Sequence, residues 1–340
     1  MGQCMGQSPL GMARIPSSMA LEDLDDILPH IVDEGLPGGG EFVVANLGEG
    51  ERTASVIALL VWHGFLPMSG VDLLLGKMHM KRCVLEPRKT HVPKKVRKRA
   101  KEFRLTVDTA WREVVESIQR LTYTTAPGDC WLSDKVAEGY QDVHKLSPKW
   151  RRGIRFMSVE LWHAETNELV AGEIGYTCGS VYSSCTGFSV KDKYPGAGSV
   201  QLVALGAWLA KQGFQLWDLG MELDYKLDLG GHMVPRAAWA KEVRSLRHRS
   251  CALGCPTGDE ACAAALLPVL LPEASRPAEG MELLPCFSCF SGPRGIRATP
   301  HTTQGSKKFR SLILWTEDDM RKLWNKSLGG MRRWLETGGC

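Results

Sequence analysis

Four segments, FMSVELW (156–162), ELVAGEIGYTCGSVYSSCTGFSV (168–190), PGAGSVQLVALGAWLAKQGFQLWDLG (195–220) and LGGHMVP (229–235), decide the fold of this chain. Short apolar runs broken by Asn, Glu and Gly read as neighbouring antiparallel strands. Val200, Val203, Ala204, Ala207 and Trp208 recur near helical spacing, which predicts a helix over residues 199–211. Gly213 closes it, and residues 214–219 read as another buried strand. Asp218 lies in that strand among apolar neighbours. A carboxylate there is costly unless it is paired or used, so the functional reading starts at Asp218.

Upstream, Phe42–Asn46 reads as a strand and residues 55–64 as a helix. Phe65-Leu66-Pro67-Met68 reads as an apolar turn that must pack against something. A basic tract follows, with Lys77, Lys81, Arg82, Arg88, Lys89, Lys94, Lys95, Arg97, Lys98, Arg99, Lys101 and Arg104 in one short interval. Such density suits phosphate contacts that carry no sequence information; the bland alternatives are a solvated loop or a localisation signal. Phe103–Val107 reads as a strand, with Asp108 capping a helix that starts at Thr109. Ser133 reads as a second cap. Residues 1–40 look like a flexible tail in which 21–32 can form one short helix.

At 340 residues, 44% hydrophobic and 24% charged, the chain has an ordinary soluble composition. A formal charge of +4 does not by itself name a nucleic-acid binder. Eleven scattered Cys in a chain long enough for a hydrophobic core argue against a disulfide scaffold. No stretch has the long apolar run of a membrane span, and MGQCMGQS is no secretory signal, although Gly2 and Cys4 leave lipidation open. Cys251, Cys255, Cys286 and Cys289 form a weak zinc pattern. The preferred reading there is a loosely ordered insertion with reduced thiols, and neither a metal nor a cofactor is expected.

HExxH, Walker and nucleophile-elbow motifs are absent. The loop Lys193-Tyr194-Pro195-Gly196-Ala197-Gly198 separates a strand from a helix and looks like a degenerate version of the glycine turn of GNAT-fold acyl-coenzyme A enzymes.

Several blocks in order resemble the bacterial leucyl/phenylalanyl-tRNA–protein transferases. Phe65-Leu66-Pro67-Met68 is similar to the family's I-F-P-W, Arg82-Cys83-Val84-Leu85-Glu86-Pro87 to R-A-V-L-x-P, and Trp131-Leu132-Ser133 to W-I-T. Ser158-Val159-Glu160-Leu161-Trp162 resembles S-V-E-V-W, Leu216-Trp217-Asp218 resembles L-I-D, and residues 229–236 follow S-L-G-A-x-x-I-P-R. The resemblance covers roughly residues 42–247. It implies transfer of an amino acid from aminoacyl-tRNA to the free N-terminal amine of an acceptor protein, which marks that protein for degradation, in the cytoplasm. It also implies an α+β, duplicated GNAT-like fold: a basic subdomain at 41–145 and a catalytic core at 146–250, followed by a Cys/Pro-rich insertion at 251–305 and an extension at 306–340. Asp218 maps to the family's buried aspartate, which orients or polarises the amine. Met68, Trp131, Cys185, Phe188 and Gly220 map to the substrate pocket. Arg82, Lys94, Lys95, Arg97, Lys98 and Arg99 map to the tRNA-binding surface.

The departures matter. Cys185 stands at the glutamate of G-E-S-M-F-S and Gly187 at its methionine, which should reshape the amino-acid pocket. Gly220 stands at the glutamine of D-C-Q, and Gly76 and Lys77 replace paired tryptophans. Glu222 would share a strand face with Asp218 if the strand continued, and so supply the missing polar partner. Two other readings stay open: an inactive tRNA-binding homologue, and an acyl-coenzyme A-dependent N-acyltransferase.

Overall fold

The computed structural model describes residues 12–36, 41–70, 73–125 and 130–271. It is a mixed α/β structure with two sheets. The smaller sheet holds β1 (Met12–Arg14), β2 (Phe42–Asn46), β3 (Leu66–Gly70) and β4 (Leu73–Lys77) in the order β1-β2-β4-β3. The larger holds β5 (Lys81–Leu85), β6 (Phe103–Val107), β7 (Arg155–His163), β8 (Leu169–Cys178), β9 (Val181–Ser189), β10 (Leu216–Gly220) and β11 (His232–Pro235) in the order β11-β5-β10-β9-β8-β7-β6.

The quoted stretch therefore forms the centre of the larger sheet. The segment 65–68 is not a turn: Leu66 to Met68 open β3 and pair with β4. Strands β5 and β6 precede residue 145 yet pair with strands that follow it, so the expected boundary at 145/146 does not separate two sheets. The expected flexible tail is also corrected over its described part. β1 pairs with β2, and α1 (Leu21–Glu34) buries Leu24, Leu28, Ile31 and Val32, an apolar stripe that has to be covered. Residues 1–11, with Gly2 and Cys4, lie outside the described residues, as do Cys286, Cys289 and the extension at 306–340.

One core lies on the face of the larger sheet that carries α7 (Ala197–Lys211). This helix is apolar almost all round because it sits between the sheet and an outer layer that includes α3 (Lys94–Arg99) and α10 (Ala263–Leu266). The other core lies between the two sheets and includes α2 (Glu51–His63), α4 (Trp111–Thr125), α5 (Asp134–Asp142) and α9 (Arg236–Leu246), with Trp150 of α6 (Pro148–Arg151) packed against it. Residues 251–271, assigned by sequence to a loosely ordered insertion, pack in part on the α7 side: Leu253, Ala263, Leu266 and Leu267 are buried there. Two helix starts differ in how they are capped. Ser133 Oγ accepts the Val136 N–H at 3.4 Å, as its sequence position suggests. At α4 the acceptor is not Asp108 but Glu160 of β7, whose buried carboxylate takes the N–H groups of Thr109 and Ala110 at 3.3 and 3.2 Å. Asp108 pairs instead with Arg155 at 2.6 Å.

Candidate active site

The site forms where the larger sheet comes apart. β9 and β10 run parallel and pair at Val181/Leu216, Tyr182/Trp217 and Ser183/Asp218, and then the pairing stops. Two local features end it. Asp218 Oδ1 accepts the Gly220 N–H at 2.9 Å, a side-chain contact that competes with the ladder. Gly220 then takes φ +77°, a left-handed conformation that glycine tolerates best. On β9 the register shifts so that Cys185 falls between Ser184 and Thr186 without a partner of its own in β8. A gap remains between Ser184–Cys185 and the loop that follows β10.

A cleft between the two sheets ends at this gap. Leu66, Met68, Lys77 and His79 wall it from the smaller-sheet side, together with Trp131. Arg82, Tyr176, Ser183 and Cys185 wall it from the larger sheet, with Asp218 and Gly220 at the splayed end and Lys226 beyond. Trp131 is fixed against β3 because its carbonyl accepts the Ser69 N–H at 2.7 Å, while the Ser69 hydroxyl accepts the Ser133 N–H at 3.2 Å. Tyr140 donates its hydroxyl to the Pro67 carbonyl at 2.5 Å and locks the same strand from behind.

Asp218 is 2% exposed and Arg82 3%, and their side chains meet at 3.1 Å. Arg82 also donates to the Gly64 carbonyl at 2.8 Å and lies 4.2 Å from the Trp239 ring centre. Its Nε is buried without a hydrogen-bond partner. A buried guanidinium held on three sides is a fixed element, so Arg82 is not part of the solvent-facing basic surface to which the sequence assigned it. It belongs to the cleft, with Asp218. Of the other cations assigned to that surface, Lys94, Lys95, Arg97 and Lys98 of α3 are exposed. Arg99 is half-buried and tied to Glu102 at 3.0 Å.

Of the five residues expected in the substrate pocket, Met68, Trp131, Cys185 and Gly220 line this cleft. Phe188 does not; it is buried in the core between the sheets and packs over Gly172 near Val114 of α4. The expected sharing of a strand face by Glu222 and Asp218 is corrected. β10 ends at Gly220, the turn there breaks the two-residue period, and Glu222 is left exposed outside the cleft. Burial pushes the Cys185 thiol well above its usual range, so it behaves as a small packed residue rather than a nucleophile.

Three further polar groups border the site without having been assigned to it from the sequence. Lys77 is buried beside Glu41 at 3.9 Å, with burial lowering its pKa. Lys226, in α8 (Asp224–Asp228), donates to the carbonyls of Leu219 and Met221, and burial pushes it down to about 8. Its sequence, DYKLD, looks like a solvated helix turn and carries no signal of burial. Glu173 of β8 is buried and accepts from Tyr182 and Ser184 at 2.9 and 2.7 Å and from Gln201 at 3.0 Å. Burial holds its pKa above the ordinary value. It sits in LVAGEIGY, a carboxylate inside an apolar strand, and so carries the same sequence signal as Asp218.

Among the described residues no group of His, Cys, Asp or Glu is placed to hold a metal, and no helix is long and apolar enough to cross a membrane. Cys251, Cys255 and Cys262 are free thiols.

Residues 84–244 match the family model described as leucyl/phenylalanyl-tRNA protein transferase. Curated proteins of that name are similar to this chain. The one from Ralstonia pickettii is 32% identical over 170 residues, 48% of this chain and 63% of its own length. The one from Magnetococcus marinus is 27% identical over 168 residues, 48% of this chain and 66% of its length. The one from Deinococcus radiodurans is 27% identical over 243 residues, 71% of this chain and 98% of its length. The chain thus spans just under two thirds of the first two relatives and nearly all of the third. Among solved structures, L-PGS from Bacillus licheniformis superposes with a TM-score of 0.34 at 13% identity, covering 64% of each chain, too distant to bear on the fold.

Proposed function

Since this chain belongs to the leucyl/phenylalanyl-tRNA protein transferase family, we propose that it moves an amino acid from the 3′ end of an aminoacyl-tRNA to the N-terminal amine of an acceptor protein. The reaction is aminolysis of an ester. The amine nitrogen bonds to the carbonyl carbon, the bond to the ribose 3′ oxygen breaks, and that oxygen leaves with a proton taken from the amine. The enzyme has to place the amine, receive its proton and balance the negative charge on the carbonyl oxygen.

The observation that carries this reading is Asp218 at the inner end of a cleft, held in one orientation by Arg82 and the Gly220 amide. Asp218 orients the attacking amine. Lys226, with a pKa of about 8, trades a proton near neutral pH and supplies positive charge across the gap. Trp131 offers an aromatic face suited to the terminal adenine, and Met68 adds apolar wall. The exposed cations of α3 receive phosphates of the acceptor stem. In the same reading β9, the glycine turn, α7 and β10 make one GNAT-like repeat and the smaller sheet belongs to another. The acceptor is marked for degradation, in the cytoplasm.

The test is transfer of label from a mixed pool of charged tRNAs to peptides with different N-terminal residues. Asp218→Asn should lower single-turnover transfer about 100-fold or more with tRNA binding within twofold. No label on any peptide from the wild-type protein would sink the enzyme reading. Two observations favour a second reading, a tRNA-binding homologue without turnover. Asp218 is already engaged by a buried arginine, and Glu222 is turned away from it. That reading expects salt-sensitive tRNA binding and no transfer. The acyl-coenzyme A reading gains nothing from its glycine turn, whose Lys193 is engaged by Glu168 at 2.6 Å.

A further inference from the structure

A second cavity lies on the α7 side of the larger sheet. Glu173, Ser184, Thr186 and Gly187 form its sheet wall, Gln201 comes from α7, and Lys226 closes it. It shares Ser184, Cys185, Leu219 and Lys226 with the first cleft. Those four residues border the gap left where β9 and β10 stop pairing. The two spaces therefore meet through the sheet, with Asp218 on one side and Glu173 on the other.

We infer that the second cavity receives the side chain of the transferred amino acid, and that Glu173 selects a polar, hydrogen-bond-donating side chain over a hydrocarbon one. The inference rests on the transferase reading above. An ester placed beside Asp218 has its amino-acid side chain within reach of the gap, and the gap leads into this cavity. Leu202, Leu219 and Tyr225 supply apolar wall there, but the buried carboxyl group of Glu173 leaves the cavity poorly suited to leucine or phenylalanine. Glu173 takes three bonds from neutral donors, Tyr182 and Ser184 on Oε1 and Gln201 on Oε2, while a carboxylate has about four acceptor positions. Hydrocarbon packed against it would seal the remaining position from water without replacing it. A hydroxyl, amide or cationic side chain supplies the missing donor. Gly187 contributes no side chain, and it cannot readily gain one: a Cβ there would lie 2.7 Å from the Gly172 carbonyl oxygen and 3.1 Å from Glu173 Cβ. An apolar wall is therefore missing at the position paired with Glu173 across β8 and β9.

Adenosines carrying a 3′-amide-linked amino acid bind without being transferred, so they read side-chain preference apart from turnover. Seryl, threonyl, asparaginyl, glutaminyl, lysyl, leucyl and phenylalanyl versions would be titrated by calorimetry onto the full chain and onto E173L and E173Q. The wild-type protein should bind at least one donor-bearing version about tenfold or more tighter than the leucyl and phenylalanyl ones. E173L should reverse that order, and E173Q, which keeps a hydrogen-bonding head, should retain it. If E173L does not fold, the wild-type ranking decides. A leucyl or phenylalanyl preference in the wild-type protein overturns the inference and leaves the transferase reading intact. Absence of binding by every version, together with no transfer from any charged tRNA, overturns both.

Discussion

Two charged regions of this molecule obey opposite rules. In the cleft and the cavity that meets it, Arg82, Lys77, Lys226, Asp218 and Glu173 are all buried, and each is fixed by named partners. On α3, Lys94, Lys95, Arg97 and Lys98 project into water. A buried charge is strongly coupled to its neighbours and barely screened, so its removal disturbs folding and chemistry together. An exposed cation contributes to a long-range field that salt screens, and its loss leaves the fold untouched. The segment from Lys77 to Arg104 is one basic tract in the sequence. In space it divides between these two regimes.

The sharpest way to break that contrast is to remove one charge from each. Arg82→Met strands Asp218 in a dry site and should cost about 3–5 kcal/mol of stability by urea denaturation. Lys94→Gln should stay within about 0.5 kcal/mol. Equal losses would mean that the cleft is wetter than its burial implies.

Lys226 sharpens the comparison through pH. Burial holds its pKa at about 8 in the folded chain, against 10.5 for a lysine in water. Between those values the unfolded chain binds more protons, so the folded state gains stability from this group as pH rises. The cost of burying the charge is felt in full only below pH 8. Lys226→Met should therefore lose ground against the wild-type protein by on the order of 3 kcal/mol from pH 7.5 to pH 10.5. Hydrogen bonds lost to the Leu219 and Met221 carbonyls shift both ends of that scale, so the slope is the test. A flat difference would remove Lys226 as a proton-trading group.

Replacing Lys94, Lys95, Arg97 and Lys98 together by Gln should weaken tRNA binding about 10- to 100-fold near 0.1 M salt and reduce the salt slope by about 3. The thermal midpoint should not move, nor should transfer at saturating tRNA. An unchanged slope would place tRNA docking elsewhere. The smallest expected effect is that of Ser133→Ala, about 1 kcal/mol, from loss of the α5 cap. Because Ser133 follows Trp131 and its N–H is anchored on Ser69, that variant also tests whether loosening the wall disturbs the cleft.

Much of the fold was legible because it is locally encoded. Phe42–Asn46 and Phe103–Val107 are strands with the bounds their sequence suggests, the central helix lies within two residues of its reading, and Ser133 caps α5. Alternation, helical spacing and capping residues act over a few positions, so one chain suffices to read them. The site was less legible. Three carboxylates, Glu160, Glu173 and Asp218, sit in apolar strands and are buried. The pattern signals burial in each case but not purpose: Glu160 caps a helix from another element, Asp218 meets Arg82, and Glu173 lines a cavity. Glu222 was misplaced because the period of two holds only while the strand lasts, and a local contact ends it at Gly220.

The sequence by itself determined the elements, the family and the presence of a carboxylate that the core must accommodate. All three follow from short-range pattern and from blocks of similar residues in order. Only the tertiary structure decided that Arg82 turns inward while Lys94 turns outward, that Lys226 is buried, and that β9 and β10 part to join two cavities. Those outcomes depend on which strands become neighbours, since a charge is paired, screened or stranded according to residues far from it in the chain.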